Sequence, residues 1–407
     1  MLRISLSRLR QDLEALSRFG RTPEGGVTRP AWSPAHEEAR AWLLAQMKEA
    51  GLATRVDPAG NTFGSLGDGA PAVLTGSHID SVPDGGKLDG ALGVLVGLEC
   101  LRTIREAGLA LKRPLTVVAW SDEEGRYASL FGSKAFTGKL EAAKIPHMQA
   151  SDGERLADAM ARAGFNALEA PKAAVDPRSV AAYVELHIEQ GPHLEAKGIP
   201  IGVVEGIVGI RRNRVVFQGE PDHAGTTPMA RRKDAFLAAA EYALKARELV
   251  VKGGSGKSVT NFGVVEVKPG VTNIVPAQAS LLQEIRELEP KVLGRLDREC
   301  AALAKRIARR RGISVTVERI SLNKPARLAP EVQRSIEIAA AKLKLRTLRM
   351  SSGAGHDAQN LATVTRAGML FIPSKEGKSH RPDEASDPRA IERGANVLLH
   401  TLLALVT

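Results

Sequence analysis

Histidines and carboxylates recur along this chain in short, glycine-framed segments that read as a strand followed by a turn or loop. His78 and Asp89 lie in GSHIDSVPDGGKLDG, Glu123 and Glu124 in AWSDEEGRY, His187 in VELHIEQGP, and His380 in PSKEGKSHRPDE. Such groups cannot all be cost-neutral in a packed core, because buried ionised oxygen needs a cation or a partner. His and carboxylate with room for water form the donor set of a hydrolytic two-metal centre. A metal-dependent hydrolase is the leading reading.

Each residue also has a plainer explanation. His78 ends a predicted strand and Asp80 follows two residues later, on the same face at strand spacing. The Asp80 carboxylate is therefore expected to orient the ring through its other nitrogen; a surface His–Asp pair is the alternative. Asp89 sits between Gly85-Gly86 and Gly90, where an aspartate is most often a turn former. Glu123 and Glu124 follow a buried strand, at the kind of strand end where ligands collect in open α/β sheets. Adjacent carboxylates point in different directions, so one can bind metal while the other handles protons; a helix-starting acidic cluster is the alternative. His187 ends an apolar strand, where a lone histidine is usually a hydrogen-bonded core residue. Its neighbours Glu185, Glu189 and Gln190 argue for a site instead. His223 in PDHAGTTPM and His356 in SSGAGHDAQN are loop histidines whose spacing proves no ligand role.

The elements that must position these groups alternate. Helical patterns cover 4–19 and 35–50, the second behind a Ser33-Pro34 start signal. Strands are expected at 53–56, 71–78, 115–121 and 180–188, with a helix over 91–106. The near-continuous apolar run LTVVAW reads as a strand buried on both faces. This rhythm predicts a mostly parallel sheet with helices on both sides. From residue 214 it changes to strand 214–218, helix 233–250, strands 259–267 and 279–287, helix 291–311 and strand 313–320. That β-α-β-β-α-β order is the plan of a ferredoxin-like layer. The β/α rhythm returns at 346–350, 369–373 and a helix over 388–405. The expected domains are 1–209 with 329–407, and an inserted 210–328.

At 407 residues, two domains are the natural expectation. A net charge of +11 suggests nucleic acid or a basic surface around an anionic small-molecule site. Nucleic acid is the weaker option, since the charge is spread out and aromatic content is only 4%. The densest basic run, KRIARRR at 305–311, reads as a solvated helix end complementing the dipole. Cys100 and Cys300 fall in apolar helical patterns and read as buried thiols of a reduced, cytoplasmic protein. The amphipathic N-terminus lacks a signal peptide's apolar core, and no segment is apolar for long enough to span a membrane.

Six strings in one order, GSHIDSVPDGGKLDGALGVLVGLE, ELHIEQGPHLE, GIVGIRR, HAGTTPMARRKDA, SSGAGHDA and IPSKEGKSHRPDE, resemble the binuclear-metal amidohydrolases acting on N-carbamoyl amino acids. That family includes N-carbamoyl-L-amino-acid hydrolases, allantoate amidohydrolases and β-ureidopropionases, within the wider aminoacylase/carboxypeptidase clan. The resemblance implies a metallopeptidase-like catalytic domain with an inserted α+β lid and dimerisation domain. It implies two divalent ions (Zn, Mn, Co or Ni): His78 and His187 on one, Glu124 and His380 on the other, Asp89 bridging. Glu123 would be the general base. Gln190, Asn273, Arg286 and Gly355 would bind a small ureido carboxylate, with Arg286 clasping the carboxylate. His223 would reach the neighbouring subunit's site in a homodimer and stabilise the oxyanion. The Asp89–Gly90 peptide would be cis.

Three segments depart from the family pattern. Gly125-Arg126-Tyr127 replaces Gly-Ser-Arg-Phe, the stretch before His223 is an acidic Gly219-Glu220-Pro221-Asp222, and Glu284 stands where aspartate is frequent. The implied reaction is ureido C–N hydrolysis. The leading form is hydrolysis of an N-carbamoyl-L-amino acid, and its rivals are allantoate amidohydrolase or β-ureidopropionase activity, a dipeptidase or aminoacylase with the same metals, and a basic nucleic-acid-binding protein on an old hydrolase fold.

Overall fold

A computed structural model describes all 407 residues, which divide into two compact units. The first unit comprises Met1–Glu205 and Arg327–Thr407; the second is Gly206–Ala326. In chain order the strands are β1 (Ala53–Val56), β2 (Thr62–Leu66), β3 (Ala72–His78), β4 (Leu115–Trp120), β5 (Val180–Ile188) and β6 (Ile201–Ile207). The insertion supplies β7 (Gly209–Gln218), β8 (Val259–Lys268), β9 (Gln278–Glu287) and β10 (Ser314–Asn323). The chain closes with β11 (Ala326–Arg327), β12 (Thr347–Ser352) and β13 (Arg366–Ile372).

The large sheet has the order β1-β2-β4-β3-β5-β13-β6-β11, with β12 also paired to β6. Its middle four strands, β4, β3, β5 and β13, are mutually parallel. β2 joins antiparallel beside β4, and β6 antiparallel beside β13. All six residues of LTVVAW in β4 are buried, as a strand covered on both faces requires. The helix Ala91–Glu106 is buried along nearly its whole length because small residues let it press onto the sheet. A Cβ at Gly93 would stand 2.5 Å from the Leu186 carbonyl oxygen. Leu92, Leu95, Val184, Leu186 and Leu398 belong to the core this packing creates.

The second unit is a four-stranded antiparallel sheet, β10-β7-β9-β8, with the helices Ala235–Gly253 and Pro290–Arg310. Along β9, Ala279, Leu281 and Ile285 alternate into a core with Tyr242, Leu296, Cys300 and Leu303. The period of two places Glu284 and Arg286 on the opposite face. Both cysteines are free and buried. No helix is long and apolar enough to cross a membrane.

Sequence periodicity missed β2, β6, the helix Pro330–Lys342 and the short helices between β4 and β5. β2 and β6 are short and interrupted by glycine, which blurs a strand pattern. The Ser33 start signal held: its hydroxyl accepts from the His36 N–H, with Pro34 in the first turn.

Candidate metal centre

The parallel strands deliver the site. His78 is the last residue of β3, His187 is next to last in β5, Glu123 and Glu124 follow β4, and His380 lies beyond β13. Asp89 precedes the helix Ala91–Glu106, whose preceding residue Gly90 takes φ 64°, a conformation that favours glycine. Four neighbouring C-terminal strand ends thus converge, the position at which open α/β sheets bind ligands.

The two oxygens of Asp89 face different partners. Oδ1 lies 3.1 Å from His187 Nε2 and 3.8 Å from His78 Nε2. Oδ2 lies 3.1 Å from His380 Nε2, which is itself 3.6 Å from Glu124 Oε1. Glu185, His187 and His356 form one group that could hold a metal, and Asp89 joins two more, His78–Asp89–His187 and Asp89–Glu124–His380, each with donor atoms within 4.8 Å of one another. Glu123 belongs to none of these groups, yet its Oε2 sits 3.6 Å from His78 Nε2.

Both buried histidines present Nε2 because backbone carbonyls take the other nitrogen. His78 Nδ1 donates to the Asp80 carbonyl at 3.0 Å, and His187 Nδ1 to the Ile188 carbonyl at 2.9 Å. The expected contact from the Asp80 carboxylate to the ring is looser, at 3.7 Å. That carboxylate instead accepts from the N–H groups of Glu123 and Glu124, at 3.4 and 3.1 Å, tying the β3 and β4 ends together. Arg29 pins the same turn by donating to the Ile79 carbonyl at 2.6 Å. His380, Gln190 and Asp122 adopt left-handed backbone conformations with φ near 50–57°; strain of this kind concentrates at functional sites.

Burial and mutual repulsion set the charges. Burial, then the charges of Asp357, Glu124, Asp80 and Asp89, push the Glu123 carboxyl well above the carboxylate range. Burial and Asp89 push Glu124 up to about 7. Burial alone would lower His187, but its hydrogen bond and ion pair with Asp89 raise it to about 9. The hydrogen bond that His380 donates to Asp89 likewise raises His380 to about 9. Asp89 is held well below its ordinary range because these bonds outweigh its burial. Carboxylates crowded around neutralisable histidines are the chemistry of a divalent-cation donor set, and the residues fit such ions.

Other expected residues fall into two places. Gln190 donates to Asp89 Oδ2 at 2.8 Å and so joins the centre. Gly355 lies in the loop just before His356. His223, Asn273 and Arg286 belong to the second unit. There His223 pairs with Ile274, and Ala224 N–H donates to the Asn273 carbonyl, so the two loops run together. The His223 Nδ1 accepts from Gly225 and Thr226 N–H, leaving the ring proton on Nε2. Glu284 takes Arg286 Nε at 2.7 Å and Arg212 Nε at 2.8 Å.

A further expectation is corrected. The cis peptide bonds are Ala70–Pro71 and Lys268–Pro269, so Asp89–Gly90 is trans, and the tight turn is made through the positive φ of Gly90. The Arg126–Tyr127 departure serves a scaffold: both side chains bond Glu154 Oε2, at 2.9 and 2.6 Å. Three residues to which sequence reasoning assigned no role support the site. His356 is buried, 4.6 Å from the His187 ring, with Nε2 on Ser352 Oγ at 2.9 Å. Burial and neighbouring His187 lower its basicity well below that of an ordinary histidine. Ser379 and Glu384 contact Asp89 and its loop; the polar string SHRPDE was the one signal that could have flagged them.

A family model described as Peptidase family M20/M25/M40 matches residues 74–404. The N-carbamoyl-L-amino acid amidohydrolase of Geobacillus stearothermophilus is 38% identical over 403 residues, covering 98% of each chain. The allantoate amidohydrolase of Escherichia coli is 35% identical, over 98% of this chain and 97% of its own. Among solved structures, an amidase of the hydantoinase/carbamoylase family from Burkholderia multivorans superposes with a TM-score of 0.90 at 35% identity. That match covers 99% of this chain and 98% of the amidase. With converging ligand groups and full-length likeness, the chain belongs to peptidase family M20/M25/M40, as an amidohydrolase of carbon–nitrogen bonds outside peptides.

Proposed function

We propose that this enzyme hydrolyses the ureido C–N bond of an N-carbamoyl-L-amino acid, giving the L-amino acid, carbon dioxide and ammonia. The observation that carries the reading is Asp89, which offers one oxygen to His78 and His187 and the other to His380 beside Glu124. His78 and His187 would hold one divalent ion, Glu124 and His380 a second, with Asp89 between them. Zn, Mn, Co and Ni all suit two histidines with carboxylates. Such ions, when bound, polarise a carbonyl and make water acidic enough to attack near neutral pH.

The chain's own groups do the rest. Glu123 stands beside the ligand groups without joining them, and its raised proton affinity suits a base that takes a proton from water and returns it to the leaving nitrogen. His223, with its proton fixed on Nε2, is a donor for the carbonyl oxygen as charge develops there. Arg286, its guanidinium plane set by Glu284, would clasp the substrate carboxylate. Gln190, Asn273 and Gly355 would complete the binding of the small ureido acid. Water addition and C–N cleavage release the amine and carbamic acid, which falls apart to carbon dioxide and ammonia.

The inserted unit would serve as lid and dimerisation domain, with His223 contributed across a homodimer. Supporting this, its helix Ala235–Gly253 leaves Phe236, Leu237, Leu244 and Val251 exposed, as β8 does Val259, Val264 and Val265. Burying such exposed apolar side chains against a second copy would take them out of water. Two buried, unpaired thiols suit a reducing, cytoplasmic setting. The likeness to an allantoate amidohydrolase supports a second reading, in which the substrate is allantoate. β-Ureidopropionase activity belongs to the same chemistry, whereas dipeptidase or aminoacylase activity would need an amide in place of the urea. Turnover of a ureido panel by Glu123→Gln tests the base: retained turnover overturns the assignment.

A further inference from the structure

Asp89 can serve two ligand groups only if its loop and the His380 loop keep a fixed register, and one side chain outside both groups links them. Glu384 lies four residues after His380 and is buried. Its Oε1 accepts from the N–H groups of Leu88 and Asp89, both at 3.0 Å. Its Oε2 lies 2.8 Å from Ser379 Oγ, which is 2.9 Å from Asp89 Oδ2, the oxygen facing His380. Gln190 Nε2, already on that same oxygen, reaches Ser379 Oγ at 3.3 Å. The carboxylate is seated where Gly86 has no side chain: a Cβ there would stand 2.0 Å from the Glu384 Cδ and Oε1. This accounts for one glycine of the Gly85-Gly86 pair that no ligand role explains.

We propose that Glu384 is a positioning residue: it clamps the backbone at Leu88–Asp89 and, through Ser379, aims Asp89 Oδ2 at the His380–Glu124 ligand group. The inference rests on the reading of Asp89 as a bridging ligand. It assigns Glu384 no contact with substrate or metal. The bonds it makes need acceptors on Oε1 and one partner for Ser379, and a glutamine supplies both. The Gln carbonyl accepts from the two N–H groups, while its amide donates to Ser379 and leaves the hydroxyl proton for Asp89. Alanine supplies neither.

The test titrates chelator-stripped full-length protein with Co(II), following heat by calorimetry and the visible absorption of the bound ion. Wild type should bind two ions, and Asp89→Ala should disturb both. Glu384→Gln should keep both ions and the wild-type spectrum. Glu384→Ala should weaken one ion about 10–100-fold, the usual consequence of losing a group that orients a ligand. His380→Ala should silence that same step of the titration. Gly86→Ala, which displaces the carboxylate without removing it, and Ser379→Ala should weaken the same step in a folded protein, covering the case in which Glu384→Ala does not fold. Unchanged isotherms and spectra in Glu384→Ala, or in both Gly86→Ala and Ser379→Ala if it does not fold, would overturn the proposal. So would a Glu384→Gln as impaired as alanine. Failure of the wild type to bind two ions, or indifference to Asp89→Ala, would instead overturn the bridging reading beneath it.

Discussion

Asp89 and Glu123 sit within reach of the same histidine and have opposite charge behaviour. Asp89 is held ionised by the His187 and His380 bonds, whereas Glu123 is pushed toward its protonated form by burial and four neighbouring carboxylates. Replacing Glu123 with Gln is therefore expected to lower kcat about 10²–10⁴-fold, the range for a lost proton-transfer group. Metal content should stay at the wild-type level; loss of metal would make Glu123 a ligand. The pH response of the metal-free protein follows with a definite sign. His187 and His380 rise from 6.5 to about 9, and Glu124 from 4.5 to about 7. A folded-state pKa above the unfolded value contributes stability that is present below the unfolded value and lost as pH rises through the folded one. Chelated protein should therefore lose melting temperature from about pH 6.5 to 9, above the range in which buried His356 acts in the opposite sense. Metal-loaded protein should be flatter there, and parallel curves would contradict this picture. Of the candidate donors, His78, Glu124 and His187 were legible because each stands at or just after a strand end in a polar, glycine-framed string, whereas Asp89 and His380 lie in glycine-rich loops away from any strand end. The orienting partners were not: His78 is set by the Asp80 backbone carbonyl, an atom every residue carries and no sequence marks.

Strand β4 could be read in advance because burial on both faces leaves a near-continuous apolar run, and β3, β5 and β13 carry the shorter apolar stretches AVL, VAAYV and MLFI; the ends of these strands carry the candidate site. β2 and β6 could not, since TFGSL and IGVVEGI hold glycines that weaken any strand pattern and gain order from the strands paired on either side of them. The βαββαβ insertion was legible from element order alone, for its amphipathic helices and the alternation along β9 are strong signals. The helix Ala91–Glu106 lies against the sheet at a glycine contact, and this gives an element-scale prediction. Gly93→Ala would drive its Cβ to 2.5 Å from a backbone oxygen that cannot rotate away. A loss of about 1–3 kcal/mol on urea unfolding is expected for such overpacking; unchanged stability would show that the helix can shift.

At the scale of the molecule, the proposed arrangement needs two copies of the chain. If His223 acts across the dimer, refolding a mixture of His223→Ala and Glu123→Gln chains should restore activity. Each mixed dimer then has one site with both groups intact. Expected recovery is a substantial fraction of wild type from two nearly inactive parents; no recovery would place His223 in its own subunit's site. Composition carried little of this, since a net charge of +11 is compatible with many partners.

The most direct measurement is ammonia release by chelated protein before and after reloading with Mn or Zn. The panel would hold N-carbamoyl-L-methionine, N-carbamoyl-β-alanine, allantoate, N-acetyl-L-methionine and a dipeptide, the last two read as free amine. The proposed function predicts silence without metal and ammonia from N-carbamoyl-L-methionine with it. Cleavage of the acetyl or peptide substrate, with no ammonia from any ureido compound, would contradict it.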